Sequence, residues 1–166
     1  MIILGLTGPS GTGKTTVAEM ALDMGFEVID CDKAAAEVTT NKELLNNLEK
    51  AFTGVVTNGI LDRKALAEKA FATDEKTNLL NSIMLPVIVQ NINEKINAAK
   101  DRGVTHLLLD APTLYESGED KKCTAVIAVL AEKSIRKARI LKRDNLNETQ
   151  LESRLKAAKA DDFYLQ

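Results

Sequence analysis

The chain has 166 residues, long enough for one domain with its own core, and its 45% hydrophobic and 28% charged content is ordinary for a soluble protein. A formal charge of −2 gives no basic footprint for nucleic acid, no apolar run approaches the ~20 residues of a membrane-spanning helix, and the apolar opening is too short for a secretory signal. Cys31 and Cys123 lie far apart with no C-x-x-C or Cys/His cluster, which argues against a disulfide frame or a zinc site. These features predict a cytoplasmic protein with reduced cysteines and no nucleic-acid or membrane partner.

The first predicted element is a strand over Ile2 to Leu6. It leads into a loop and a helix in which Gly8, Gly13, Lys14 and Thr15 fill the spacing G-x-x-x-x-G-K-[ST] of a phosphate-binding loop. Glycines at 8, 11 and 13 adopt backbone angles closed to other residues, so successive N–H groups from Gly8, Pro9, Ser10, Gly11, Thr12 and Gly13 onward can converge on one anion, Pro9 excepted. The helix opening at Thr15 and Thr16 adds the positive end of its dipole, worth ~0.3–1 kcal/mol toward a phosphate at an exposed site. Lys14 is placed to reach the β and γ phosphates and the Thr15 hydroxyl to ligate Mg²⁺, so the expected ligands are ATP and Mg²⁺.

Helical spacing from Thr15 to Met24 puts Val17, Ala18, Ala21 and Leu22 on one side, and Gly25 ends the helix. Phe26, Val28 and Ile29 form a second strand that delivers Asp30-Cys31-Asp32 at its carboxyl end, where open α/β sheets bind ligands. On an extended backbone two carboxylates two apart point the same way. Asp32 is then the candidate to take the proton of an attacking hydroxyl or to hold Mg²⁺, and Asp30 its structural partner; an Asp that caps a helix from Lys33 is the plainer alternative.

From Lys33 to Arg102 the pattern is helical with no clear strand. One helix covers Asn41 to Phe52, and Gly54 to Gly59 break it. Asp62 caps a second through Phe71, with Arg63 on its first turn and Leu61, Leu66 and Phe71 as its buried positions. A third starts at Asp74 with Leu79, Leu80, Ile83 and Met84, must kink or restart at Pro86, and gives way to a fourth with Val87, Ile88, Ile92 and Ile96 inward. Such an insert suits a phosphoryl acceptor, with helical packing alone as the alternative.

Val104 to Leu109 predicts a third strand with Asp110 at its end, as metal or acceptor contact, and Glu116 facing the same cleft. His106 reads as a packed or edge residue. Ala125 to Leu130 predicts a fourth parallel strand buried on both sides. A helix from Glu132 to Asn145 places Arg136, Arg139 and Arg143 on one face, and Asn147 caps a segment from Glu148 to Ala158 that projects Arg154. Guanidinium forks suit phosphates, and two short helices bearing them suit a closing lid.

The expected architecture is one α/β domain over residues 1–166. It is a three-layer P-loop NTPase fold with helices on both faces of a parallel sheet, a helical insert at about 33–102 and a lid at about 139–158. On the phosphate loop alone, a kinase for a small acceptor such as a nucleoside or nucleoside monophosphate and a non-catalytic ATP-binding module both stay open.

Beyond the loop, the chain resembles the dephospho-CoA kinase family over nearly its whole length. The resemblance is carried by Gly-Leu-Thr-Gly-x-x-Gly-x-Gly-Lys-Thr-Thr at 5 to 16, Val-Ile-Asp-Cys-Asp-Lys at 28 to 33 and Asp-Arg-x-x-Leu at 62 to 66. To these are added Leu-Asp-Ala-Pro-Thr-Leu-Tyr-Glu-Ser-Gly at 109 to 118 and the Arg139 to Asp144 pattern with Arg154 downstream. It implies phosphorylation of the ribose 3′-hydroxyl of dephospho-coenzyme A by ATP with Mg²⁺, the last step of coenzyme A synthesis, by a monomer or weak homo-oligomer. Asp32, Lys14, Arg139 and Arg143 carry over as the catalytic set, with Asp32, Asp110, Arg63, Glu116 and Arg154 toward the acceptor. The chain departs from the family pattern at Ala36, Leu85 and Ala158, and it stops at Gln166, where the family usually adds a strand and helix that would cover a sheet edge.

Overall fold

Strand β1 (Ile2–Thr7) runs through a loop at 8–13 into helix α1 (Lys14–Asp23), and β2 (Glu27–Asp30) follows. Then come α2 (Cys31–Glu37), α3 (Lys42–Ala51), the short strands β3 (Val56–Thr57) and β4 (Ile60–Leu61), α4 (Arg63–Ala70) and the long α5 (Asp74–Asp101). β5 (His106–Asp110), β6 (Ala125–Ala128), α6 (Lys133–Asp144), α7 (Glu148–Lys156) and α8 (Asp161–Tyr164) complete the order. This computed structural model describes residues 1–144, 148–156 and 158–165, and the side chains of these except 149, 153, 154 and 156. Two compact units divide the chain, Met1–Asp30 with Ala99–Gln166, and Cys31–Ala98.

In the first unit, four parallel strands lie in the order β2-β5-β1-β6. The apolar runs of β1 and β5 are central, so Leu6, Leu107, Leu108 and Leu109 are essentially inaccessible, and Ala18 of α1 packs on Leu6 and Leu108. Helix α1 turns Val17 and Ala21 to this core, but Leu22, expected with them, is 55% exposed. Among the described residues β6 lies at the edge of the sheet, and it is not the two-sided buried strand that its apolar run predicts: Ala125 and Ile127 are exposed, Ile127 to 38%. His106 is exposed, its ring tilted against Phe26 at 5.2 Å. Among the described residues no helix is long and apolar enough to cross a membrane.

The second unit builds its own core from Leu44, Leu48, Phe52, Val55, Leu66, Ala70 and Leu80. Its helices start where the capping residues predict. Asn41 Oδ1 accepts the N–H groups of Glu43 and Leu44 at 2.9 and 3.1 Å, and Asp62 Oδ1 those of Lys64 and Ala65 at 3.0 and 2.9 Å. Three expectations change here. The break at Gly54 to Gly59 is an antiparallel hairpin in which Asn58 (φ 53°) and Gly59 (φ 76°) make the turn between β3 and β4. α5 runs through Pro86 as one helix of 28 residues, where two were expected. Phe71, expected inside, is 66% exposed.

Candidate phosphate-binding site

The loop after β1 has the backbone of an anion cradle. Gly8, Gly11 and Gly13 have φ of 136°, 84° and 108°, a region that L side chains rarely enter. Space enforces the choice as well. A Cβ on Gly8 would sit 2.2 Å from the Val129 carbonyl oxygen, and one on Gly11 would sit 2.9 Å from that of Arg136.

Each carbonyl from Gly8 to Thr12 accepts a side-chain donor. Lys14 Nζ donates to Gly8 and Pro9 at 2.7 and 3.3 Å, and the Thr12 hydroxyl also donates to Pro9 at 3.0 Å. Arg136 Nε donates to Ser10 at 3.0 Å, and Arg139 donates to Gly11 and Thr12 at 3.4 and 2.9 Å. Arg143 donates to the Ser10 hydroxyl at 3.4 Å and pairs with Asp144 at 2.5 and 2.8 Å, a carboxylate that raises the guanidinium pKa further. The arginine face of α6 therefore lies against the loop. Since no peptide in the described chain is cis, each N–H points away from the carbonyl of its own peptide group, and holding the carbonyls fixes the amides.

Gly13 is the N-cap of α1, and the first turn carries no acid to offset the helix's positive end. Thr15 and Thr16 are exposed there. The site fits a bound polyphosphate. Among the described residues no group of three or more His, Cys, Asp or Glu could hold a metal alone, so Mg²⁺ would rest on Thr15 and on phosphate oxygens, as this ion commonly does.

The predicted acidic residues divide. Asp110 ends β5 in register with Leu6 of β1 and Asp30 of β2, so Asp30 and Asp110 share the carboxyl edge of the sheet from which the loop departs. Glu116 is exposed on the turn after β5, and its charge, after burial, helps raise the pKa of Tyr164. Asp32 is not on an extended chain beside Asp30. The backbone turns helical at Cys31, which breaks the period of two, and Asp32 is exposed in the first turn of α2. Within the second unit, Asp32, Ala36, Thr39, Arg63, Phe71 and Met84 line an apolar groove, so the structure brings Asp32 and Arg63 to one surface. Arg63 also donates to the Thr39 hydroxyl at 3.3 Å. The cap expected at Asn147 and the side chain of Arg154 lie outside the described residues.

Sequence reasoning missed the burial of Arg136, which is 7% exposed while Arg139 lies open. Its spacing of four from the buried Ile140 is the signal that marks it as inward. Cys31 and Cys123 form no disulfide with each other. Burial and then Asp120 push the Cys123 thiol up to about 11, which favours the protonated thiol at neutral pH.

An open parallel sheet with a glycine loop between its first strand and first helix defines a P-loop protein. The dephospho-CoA kinase family model matches residues 2–162, and the chain belongs to that family. A dephospho-CoA kinase from Corynebacterium glutamicum is 34% identical over 99% of this chain and 84% of its own length. One from Deinococcus radiodurans is 39% identical over 86% of this chain and 69% of its own. A crystal structure of a Thermus thermophilus protein superposes with a TM-score of 0.85 at 30% identity, covering 98% of this chain and 82% of that one. The fold is shared by a Campylobacter jejuni dephospho-CoA kinase, with a TM-score of 0.58 and 24% identity over 93% of this chain and 78% of that one.

Proposed function

We propose that the chain transfers the terminal phosphoryl group of ATP to the ribose 3′-hydroxyl of dephospho-coenzyme A, giving coenzyme A and ADP. The observation that carries this reading is the loop itself: in a member of this family, five successive carbonyls held by Lys14, Thr12, Arg136 and Arg139 leave the amides of residues 10–13 to the phosphates.

In this reading Lys14 exchanges the Gly8 and Pro9 carbonyls for the β and γ phosphates. Arg139 and Arg143 offset charge on the group in transfer. Thr15, with Asp32, would hold Mg²⁺, which when bound would offset the negative charge of the phosphates. Asp32 accepts the proton of the 3′-hydroxyl as its oxygen bonds to phosphorus, and the bond to the β phosphate breaks to release ADP. The residue's place in the first turn of α2, on the groove that also holds Arg63, supports its facing an acceptor. Arg63, Asp110 and Glu116 are the proposed acceptor contacts, with Arg154 added on the family resemblance. The whole chain then works as one kinase domain, residues 31–98 carrying acceptor recognition.

Coupled ADP release measured with dephospho-CoA and without acceptor tests the reaction. Acceptor-dependent release is expected; binding of ATP with no release would sink it, and release only with a nucleoside or nucleoside monophosphate would replace the acceptor. Asp32→Asn should lower turnover by ~10²–10⁴-fold with ATP affinity nearly kept, the usual range for a positioned base.

A further inference from the structure

We infer that Arg136 is a positioning residue for the phosphate loop, acting through one hydrogen bond from Nε and not through its charge. The inference rests on the loop being the phosphate site, and it concerns how that site is kept in shape before ligand arrives.

Three observations carry it. Arg136 is 7% exposed, and its Nε–H donates to the Ser10 carbonyl at 3.0 Å. The backbone of α6 at the same residue sits so close to Gly11 that a Cβ there would be 2.9 Å from the Arg136 carbonyl oxygen and 3.2 Å from its Cα. Its terminal Nη2 is buried with no hydrogen-bond partner among the described residues. The guanidinium nitrogen that meets the loop is thus Nε.

The consequence for the ligand follows from peptide geometry. The Ser10 carbonyl and the Gly11 N–H belong to one planar trans group and point opposite ways. A donor that fixes the carbonyl on the α6 side therefore fixes the amide on the other, before any phosphate is bound. Gly11 with φ 84° has no Cβ to restrict it, so this peptide has the greater need of an external hold. Preorganised donors bind and stabilise charge without paying for reorientation when the ligand arrives.

Side-chain chemistry separates the bond from the charge. Gln places its amide nitrogen the same number of bonds from Cα as the arginine Nε, so it can make the Ser10 contact without a cation. Lys keeps the charge but has a methylene at that point, and Met has neither donor nor charge. Titration calorimetry of the full chain with ATP, with inorganic tripolyphosphate and with adenosine reads the three variants. Arg136→Gln is expected to bind ATP and tripolyphosphate within about twofold of the unaltered protein, while Arg136→Lys and Arg136→Met bind both about tenfold more weakly. Adenosine binding and the KM for dephospho-CoA should not change.

Equal weakening in all three variants would overturn the inference, as would a Lys variant that binds normally while Gln does not, because the charge would then be what matters. Should the Met variant fail to fold, the Gln and Lys pair decides the matter alone. Failure of the proposed reaction would appear separately, as tight ATP binding by the unaltered chain with no acceptor-dependent ADP release.

Discussion

Glu49 shows how much structure one carboxylate can organise. From the last turn of α3 it reaches past the helix end, accepting the N–H groups of Gly54, Val55 and Val56 at 2.6, 2.9 and 2.7 Å. Residues that would otherwise leave the helix with unpaired amides are thereby led into the β3–β4 hairpin. The bonds from Gly54 and Val56 are the main reason that the Glu49 pKa lies below the ordinary carboxylate value. A carboxyl with a depressed folded pKa adds stability above its unfolded pKa, and that contribution is lost as pH falls through the folded value. Glu49→Gln should therefore lower the thermal midpoint at neutral pH. The gap between the two proteins should close on acidification below the ordinary carboxylate value of 4.5, a trend that scanning calorimetry across pH would show. A gap that held constant down to the acid limit would remove the carboxylate from the account.

At the scale of elements, α5 is the part that sequence rules read least well. Proline in a helix interior lacks the N–H that would bond to the carbonyl four residues earlier, here that of Ser82, and its ring crowds that turn. A break at Pro86 was the natural expectation, but inward residues on both sides of it, Ile83, Met84, Val87 and Ile88, pack on one core, and that shared burial carries the helix through. Pro86 itself is exposed, so nothing in the core requires its ring. Pro86→Ala should raise stability by ~1–3 kcal/mol, less than the full interior cost because the unfolded chain gains freedom, and urea denaturation would measure it. A lower urea midpoint would mean that the proline shapes the helix in a way its neighbours need.

The same comparison explains what could be read beforehand. The loop, α1 and the capped starts of α3 and α4 rest on local chemistry at Gly8, Gly13, Asn41 and Asp62, and local chemistry is written in adjacent residues. The hairpin was also written there, in Asn58-Gly59, but two-residue strands leave no alternation around it to read. Strand order is different in kind. The run Ala125–Ala128 is as apolar as a central strand, and only the pairing of β1 with β5 puts it at the edge. For Arg136 the spacing from Ile140 marks the inward face, but its partner on the loop is non-local, since that depends on where the loop lies against α6.

For the molecule as a whole, the division of the chain makes a kinetic claim. The phosphate loop, its lysine and the α6 arginines all belong to the unit formed by Met1–Asp30 and Ala99–Gln166, whereas Asp32, Arg63 and their groove belong to Cys31–Ala98. If nucleotide and acceptor recognition are divided in the same way, substitutions should sort by ligand. Arg63→Met removes a guanidinium from the groove without disturbing the buried residues of α4, Leu66 and Ala70. It should raise the KM for dephospho-CoA by about tenfold, the loss of one charged hydrogen-bonding contact, and leave the dissociation constant for ATP unchanged. Lys14→Met should do the reverse, weakening ATP binding by at least as much. Steady-state kinetics at varied concentrations of each substrate, with direct ATP titrations, separates the two effects. An Arg63 variant whose defect lay wholly in ATP affinity would show that acceptor recognition is not housed in residues 31–98, and the groove would lose its assigned role while the loop kept its own.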